Sequence, residues 1–282
     1  MAPHKKRAPS KPTRTIPSTS PPTAIKPFNK ADIRLLLQQL QTLPADVQTW
    51  PLPSRLSLLR GDTITLCLTS RDPATKHIIS HPVIDVPKYA LMAVSQPILL
   101  HLAKTNPRAQ SIAFFVRSGL SKAQLSVHEA ALRALAHWLA ALCSPAPVPL
   151  QVPSFFAPSF FAEVALRHLA RKLEMGLYVM HLVSRFVGDA IGGCLEGWQV
   201  TELVKSCVGE DDPMLLGLAG GMARARARAR EGGEEGVRKR IREFLGRAEN
   251  RMLRIAVVRM EEQEKAKRRL FSEVVEVKDE EV

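Results

Sequence analysis

The sequence predicts an α+β fold in which a short three-stranded sheet, flanked by helical hairpins, is followed by an all-helical C-terminal extension. Two patterns carry this prediction. Alternating apolar and polar residues indicate a strand pair within residues 63–86, and apolar residues three or four apart indicate helices beyond residue 126. The stretch Ile84–Leu102 joins the two, because a strand-like run there meets Pro87 and continues as an apolar helical segment.

The 282 residues allow one or two domains, and 45% hydrophobic residues can fill a sizeable core. The net charge of +13 is concentrated in two places. Residues 1–26 carry six Lys/Arg and no acid, and residues 224–269 carry sixteen Lys/Arg against eight Glu. The remainder is close to neutral, so the basic character belongs to a tail and a helical arm.

Residues 1–28 are rich in Pro, Ser, Thr and Lys, which predicts a disordered basic tail. Its cluster His4–Arg7 leaves two interpretations open, a nuclear import signal or an ordinary basic run. No signal-peptide pattern and no bilayer-spanning apolar run occur. We therefore expect a soluble intracellular protein, nuclear or cytoplasmic.

The predicted sheet domain covers residues 29–145 and opens with a helix. Asn29 caps this helix and Pro44 ends it. Its apolar residues at helical spacing are Ile33, Leu36, Leu37, Leu40 and Leu43.

Two strands follow this first helix. The first is predicted at Thr63–Thr69 and the second at His77–Val86, with a polar turn between them. Pro82 predicts that the second strand is an edge strand or carries a bulge.

The corner then leads to a third strand. Pro87 suits the first turn of a helix. Pro97 restarts the helix through Ala103, and Asn106-Pro107 ends it. A short apolar strand is predicted at Ser111–Val116 and a loop at Ser118–Leu125.

Ser126 and Glu129 predict a capping box at the start of a strong amphipathic helix. The core stripe of this helix is Val127, Ala131, Leu135, Trp138 and Leu142. Closely spaced prolines then predict an extended linker at residues 146–153.

The helical extension is predicted at residues 154–222. Phe160–Met175 and Leu177–Ile191 form a helical hairpin that breaks at Gly176 and closes at Gly192-Gly193. Two shorter helices follow, Trp198–Val208 and one from Pro213 through Leu218.

A basic helical arm is predicted at residues 223–271 and an acidic disordered tail at 272–282. The run Ala223–Arg230, ARARARAR, predicts arginine on all sides of any helix it forms. One long amphipathic helix is predicted from Glu234. Its apolar stripe is Val237, Ile241, Phe244, Ala248, Met252, Ile255 and Val258.

The order of strand, strand, bent helical pair, strand and helix resembles the BTB/POZ fold. Members of that family commonly carry the pattern V-H-K-x-x-L-x-x-x-S-x-x-F at the corner after the second strand. The matching residues here are Val86, Lys88, Leu91 and Ser95, while Pro87 replaces the histidine and Ile98 the aromatic residue. Asp62 resembles the aspartate that opens the family's first strand, and Leu132–Leu139 resembles a helix of the domain. Phe161–Phe186 resembles the helical segment that follows the domain in many fungal members.

This resemblance implies a protein–protein interaction adaptor, often a homodimer, without catalytic activity of its own. The dimer-interface candidates are Ile33, Leu36, Leu37 and Leu40 together with the corner. The partner-groove candidates are Asp62, Lys88 and Ser95. The alternative for the Asp62–Lys88 pair is a structural ion pair.

We find no sequence pattern for catalysis, a cofactor or a metal. The four cysteines, Cys67, Cys143, Cys194 and Cys207, lack the spacing of a zinc site and are expected to be buried free thiols. His77 and His81 share one strand face, but a structural zinc site needs further ligands. We therefore expect no enzyme, no cofactor and no small-molecule substrate.

Two other functions remain open. A nucleic-acid or chromatin-associated role would use the two basic segments, with Arg224, Arg226, Arg228 and Arg230 as phosphate contacts. The alternative for these arginines is a solvated helix face. A coiled-coil assembly through residues 234–260 is the third hypothesis, because the apolar stripe there is nearly heptad. The preferred alternative is packing of this stripe within the chain, because it covers only three to four heptads and lacks consistent charge pairing beside it.

Overall fold

The computed structural model describes residues 38, 42–43, 45–72, 75–106, 108–116, 120–142, 144–145, 148–152 and 160–279, with side chains up to residue 267. In these residues the chain forms one three-stranded sheet and ten α-helices, which confirms the α+β class. The strands are β1 (Thr63–Arg71), β2 (Ile78–Pro87) and β3 (Ser111–Phe115). The helices are α1 (Leu52–Ser57), α2 (Lys88–Val94), α3 (Gln96–Leu100), α4 (Lys122–Ala141), α5 (Phe160–Lys172), α6 (Met180–Ile191), α7 (Gly197–Lys205), α8 (Pro213–Glu231), α9 (Glu235–Gly246) and α10 (Arg251–Asp279).

The sheet has the strand order β2-β1-β3, with β2 antiparallel and β3 parallel to β1. Ile64, Leu66 and Leu68 are buried, as the alternation in β1 predicts. The register of the β1–β2 pair shifts between Leu66 and Cys67, and Pro82 pairs with Cys67 at this bulge. Because proline cannot donate to a strand ladder, it fits a bulge on an edge strand, as predicted.

The corner at Ile84–Leu102 is part of the hydrophobic core of the chain. Pro87 ends β2 and precedes α2, and Ser95 separates α2 from α3. The buried apolar residues of the corner are Tyr89, Ala90, Leu91, Met92, Val94, Ile98, Leu99 and Leu102. Leu100 is the one large apolar residue of the corner that is exposed, so the corner offers little apolar surface to a second chain.

Helix α4 begins earlier than the sequence predicts. Ser121 caps it: the Ser121 hydroxyl accepts from Gln124 N at 3.2 Å, and the Gln124 side chain accepts from Ser121 N at 2.9 Å. Ser126 lies inside the helix and donates to the carbonyl oxygen of Ala123. The capping box predicted at Ser126 and Glu129 is therefore wrong, because an equivalent box five residues earlier captures the free N–H groups of the first turn.

Helices α5 and α6 form the predicted helical hairpin. The chain leaves α5 at Glu174, which has a left-handed φ of 56°, and Met175 N donates to the carbonyl oxygen of Ala170. At the other end, Gly192 N donates to Gly188 O and Gly193 has a φ of 75°, so the two glycines close α6 as predicted.

Helix α8 crosses α6 at close range. A Cβ atom on Gly217 would lie 2.8 Å from Val187 Cγ2, and one on Gly221 would meet the Ile191 side chain more closely still. Glycine at these two positions therefore allows α6 and α8 to pack closely. Helix α8 also continues through residues 223–230, so the predicted boundary at 222/223 falls inside one helix.

The basic arm differs from the prediction in two ways. The single helix expected from Glu234 is broken into α9 and α10 by a short 3-10 turn, Ala248–Asn250. The predicted stripe is also displaced, because Met252, Ile255 and Val258 are exposed. In the part of α10 whose side chains are described, up to residue 267, the buried residues are Leu253, Ala256 and Val257. The prediction of a continuous coiled-coil helix through 234–260 is therefore wrong.

The described helices include none that is both long enough and apolar enough to cross a membrane.

Candidate interaction groove

Lys88 is buried between the first strand and the loop before β3. Its backbone N–H donates to Asp62 O at 3.1 Å, and its Nζ donates to Ala109 O at 3.1 Å. Burial lowers the pKa of Lys88, and the nearby Asp62 carboxylate partly opposes this shift. The burial of Lys88 favours the structural interpretation of the pair over an open partner pocket.

Ser95 is buried as well. Its hydroxyl donates to the carbonyl oxygen of Leu173 at 2.8 Å. Leu173 follows the last residue of α5, so this bond ties the corner to the helical extension. As with Lys88, the bond of Ser95 stabilises the fold.

The predicted dimer-interface residues Ile33, Leu36, Leu37 and Leu40 lie outside the described residues. Leu43, the last apolar residue of the same predicted helix, packs against the core. Leu56 in α1 and Leu59 just after it are 45% and 42% exposed. Apolar surface is thus available close in sequence to the predicted interface.

A cavity of about 910 Å³ opens between β3, α3, α4 and α5. We call it the β3 groove. Its apolar lining includes Ile98, Leu132, Leu169 and Leu173, and all residues of β3 border it. The sequence predicted the elements around this groove, but it gave no signal that they would leave a space beside β3.

His128 of α4 and His168 of α5 lie at one end of the β3 groove. Both also line a neighbouring cavity of about 470 Å³, which is completed by Lys205 at the end of α7 and by Ser206 after it. His168 Nδ1 is 2.8 Å from Ser206 O. Burial lowers the pKa of both histidines, and Lys172 lowers each further by charge repulsion. The neutral imidazole is therefore the favoured form of each at neutral pH.

An ion pair that the sequence analysis missed fixes the helical extension. Arg167 in α5 donates to the carboxylate of Asp212, and both side chains are fully buried. Asp212 also caps α8 by accepting from Met214 N at 2.9 Å, and it accepts from Val208 N at 2.8 Å. Asp212-Pro213 is a recognisable helix start, but nothing in the sequence indicates its arginine partner 45 residues away.

The arginine run is partly committed to packing. Arg226 forms an ion pair with Glu261 of α10 at 3.1 Å, and Ala223 and Ala229 are buried. Arginine lies on more than one side of α8, as its period predicts, yet α8 still packs the run against neighbouring helices through Ala223 and Ala229. Arg224, Arg228 and Arg230 are exposed. Their contact with phosphate stays a prediction.

The cysteine prediction is only partly correct. Cys67 is buried, Cys207 is half-buried and Cys194 is exposed, all as free thiols. Cys143 lies outside the described residues. His77 and His81 are exposed, and no group of three possible metal ligands occurs in the part of the chain that is described.

Comparisons with known proteins identified no relative of this chain. No family model matches the chain, and no curated protein or solved structure matches it.

Proposed function

We propose that this chain is a non-enzymatic protein–protein interaction adaptor built on a BTB/POZ-like module. The observation that supports it most is the topology. An antiparallel hairpin, β1–β2, leads through the helix pair α2–α3 to β3, which lies parallel to β1 on its other side. Helix α4 then packs on the sheet. This is the order of elements on which the sequence resemblance rests.

The proposed module forms a homodimer. Its interface consists of the 29–43 segment and the exposed leucines Leu56 and Leu59, which are the nearest exposed large apolar residues along the described chain. Exposed apolar side chains favour the association of two chains, because association removes these side chains from water. The corner contributes little, since most of its apolar residues are already buried and Leu100 is the exception.

Light scattering on the full chain tests this proposal. The expected mass is twice the 31.2 kDa of one chain. Leu56→Glu with Leu59→Glu should give the single-chain mass, whereas Leu177→Glu, at another exposed leucine, should leave the dimer intact. A monomeric parent chain at all concentrations would contradict the proposal. The full chain is needed because a fragment that ends before Asp212 leaves Arg167 buried without its partner.

A further inference from the structure

The outer edge of β3 is open among the described residues. Strand β3 is the last strand of the sheet and pairs only with β1. Thr65 N donates to Gln110 O, and Val116 N donates to Thr69 O, both at 2.9 Å. In a parallel ladder these bonds point the backbone groups of alternate β3 residues toward β1. The backbone groups of Ser111, Ala113 and Phe115 therefore point outward, and all three residues are exposed.

An exposed strand edge is a template for another strand, because its N–H and C=O groups accept a further ladder. The β3 groove runs beside this edge. Side chains of an added strand alternate between two faces, so one set would enter the apolar groove. The other set would lie on the face where Phe115 is 65% exposed.

The charges around the groove define which strand fits. Among the described lining residues, Lys172 is the one lysine or arginine, and His101, His128 and His168 are the histidines. No carboxylate belongs to this lining. Acidic groups on the incoming segment would therefore complement the rim of the groove.

We propose that an extended segment of a partner protein, with apolar residues at alternate positions and an acidic residue at each end, adds to β3 as a fourth strand. Its backbone pairs with Ser111, Ala113 and Phe115. Its apolar side chains occupy the β3 groove, and a carboxylate at one end lies near Lys172 at the rim of the groove. This inference rests on the proposed interaction role and specifies the surface and the chemistry of the partner.

The test uses the full chain and a fluorescein-labelled decapeptide in which valine alternates with threonine between a glutamate at each end. Saturable binding is expected by fluorescence anisotropy, and the same peptide with lysine at each end should bind at least tenfold more weakly. Ala113→Pro removes an outward N–H but no bond to β1, so it should weaken binding at least tenfold. Lys172→Glu should reverse the preference between the two peptides, whereas Lys239→Glu, on exposed α9, should not.

Peptide variants keep the test decisive if Ala113→Pro fails to fold. N-methylation of alternate peptide amides removes the donors from one edge of the added strand. One of the two alternate sets should abolish binding and the other should not. No binding, equal effects of the two sets, or no preference for the acidic peptide would each overturn the proposal.

Light scattering on the same samples separates the two proposals. A dimer that binds no peptide overturns the strand addition alone. A monomer that binds the acidic peptide overturns the homodimer alone. Dissociation of the dimer by Ala113→Pro, without peptide binding, would show that a second copy covers β3 and would likewise overturn the inference.

Discussion

Arg167 and Asp212 form a fully buried ion pair that joins α5 to the start of α8. Arg167 NH1 also contacts Ser206 O at 3.2 Å, so one guanidinium holds the loop between α7 and α8 in place. Removing one partner of a buried pair leaves an uncompensated charge and costs about 3–5 kcal/mol.

Asp212→Asn should lower the free energy of unfolding by about 3 kcal/mol. Asparagine keeps one acceptor oxygen and can still cap α8, but its NH2 group replaces an oxygen that accepts a backbone N–H. The loss therefore reports the missing charge together with one hydrogen bond. Arg167→Met with Asp212→Asn should recover part of the loss, because no buried charge remains. Urea unfolding measures these values. The control is Glu163→Gln at the more exposed pair with Arg185, where we expect about 1 kcal/mol or less. Equal losses for Asp212→Asn and Glu163→Gln would contradict the role of the buried pair.

Ser121→Ala should destabilise the chain by about 1 kcal/mol, because it removes the acceptor for Gln124 N. Ser126→Ala should change the free energy of unfolding little, since Ser126 lies within α4. Thermal or urea unfolding of the two variants compares them directly. If Ser126→Ala were the more damaging change, the start of α4 at Lys122 would be wrong.

Gly217→Ala should destabilise the chain by about 1–3 kcal/mol, because its Cβ would meet the stiff Val187 side chain at 2.8 Å. Gly220→Ala is the matched control on the same helix. The nearest atom to its Cβ is Arg224 NH1 at 3.4 Å, so the better helix propensity of alanine should stabilise the chain by up to about 1 kcal/mol. Opposite signs in urea unfolding are expected. Stabilisation by both changes would argue against the close α6–α8 crossing.

Stability should fall as the pH drops below about 6.5, the ordinary histidine pKa that the unfolded chain approaches. Burial lowers the pKa of His128 and His168 in the folded state, so the unfolded chain binds protons more readily there. The stability that the two neutral imidazoles contribute is fully present above about pH 6.5. It is lost as the pH falls through the pKa values that His128 and His168 have in the folded state. Urea unfolding between pH 7.5 and 5.5 measures this.

Replacing the half-buried His128 and His168 by glutamine should reduce that pH dependence, while His181, whose pKa is also lowered by burial, still contributes. Replacing the exposed His81 by glutamine is the control and should leave it in place. An unchanged slope in the double variant would show that these two imidazoles do not govern the acid response.

Local patterns predicted much of the sheet domain. The alternation of Ile64, Leu66 and Leu68 located β1, and Pro82 predicted the bulge, because strand period and proline chemistry depend on adjacent residues. The start of α4 was missed where two capping patterns competed. Local rules rank Ser126 with Glu129 as highly as Ser121 with Gln124, and the structure selects the earlier pair.

The candidate site was far less predictable. Lys88 and Ser95 were singled out on a family pattern, and tertiary packing buries both. The β3 groove exists because α3, α4 and α5 lie apart in space, although they are separated by more than 60 residues along the chain. Local residue spacing carries no information about that distance. In α10 the stripe through Ile255 has helical spacing, yet the packing of α8 buries the neighbouring side with Leu253.

The sequence by itself determined the α+β class, the strand pair, the corner and the helical hairpin, because these follow from periodicity, proline and glycine within a few residues. Tertiary structure alone decided the Arg167–Asp212 pair, the edge of β3 that no other described strand covers, and the break between α9 and α10. The physical reason is that burial is a property of all neighbours in space. A residue pattern specifies which side of an element is apolar, and packing specifies which side is covered.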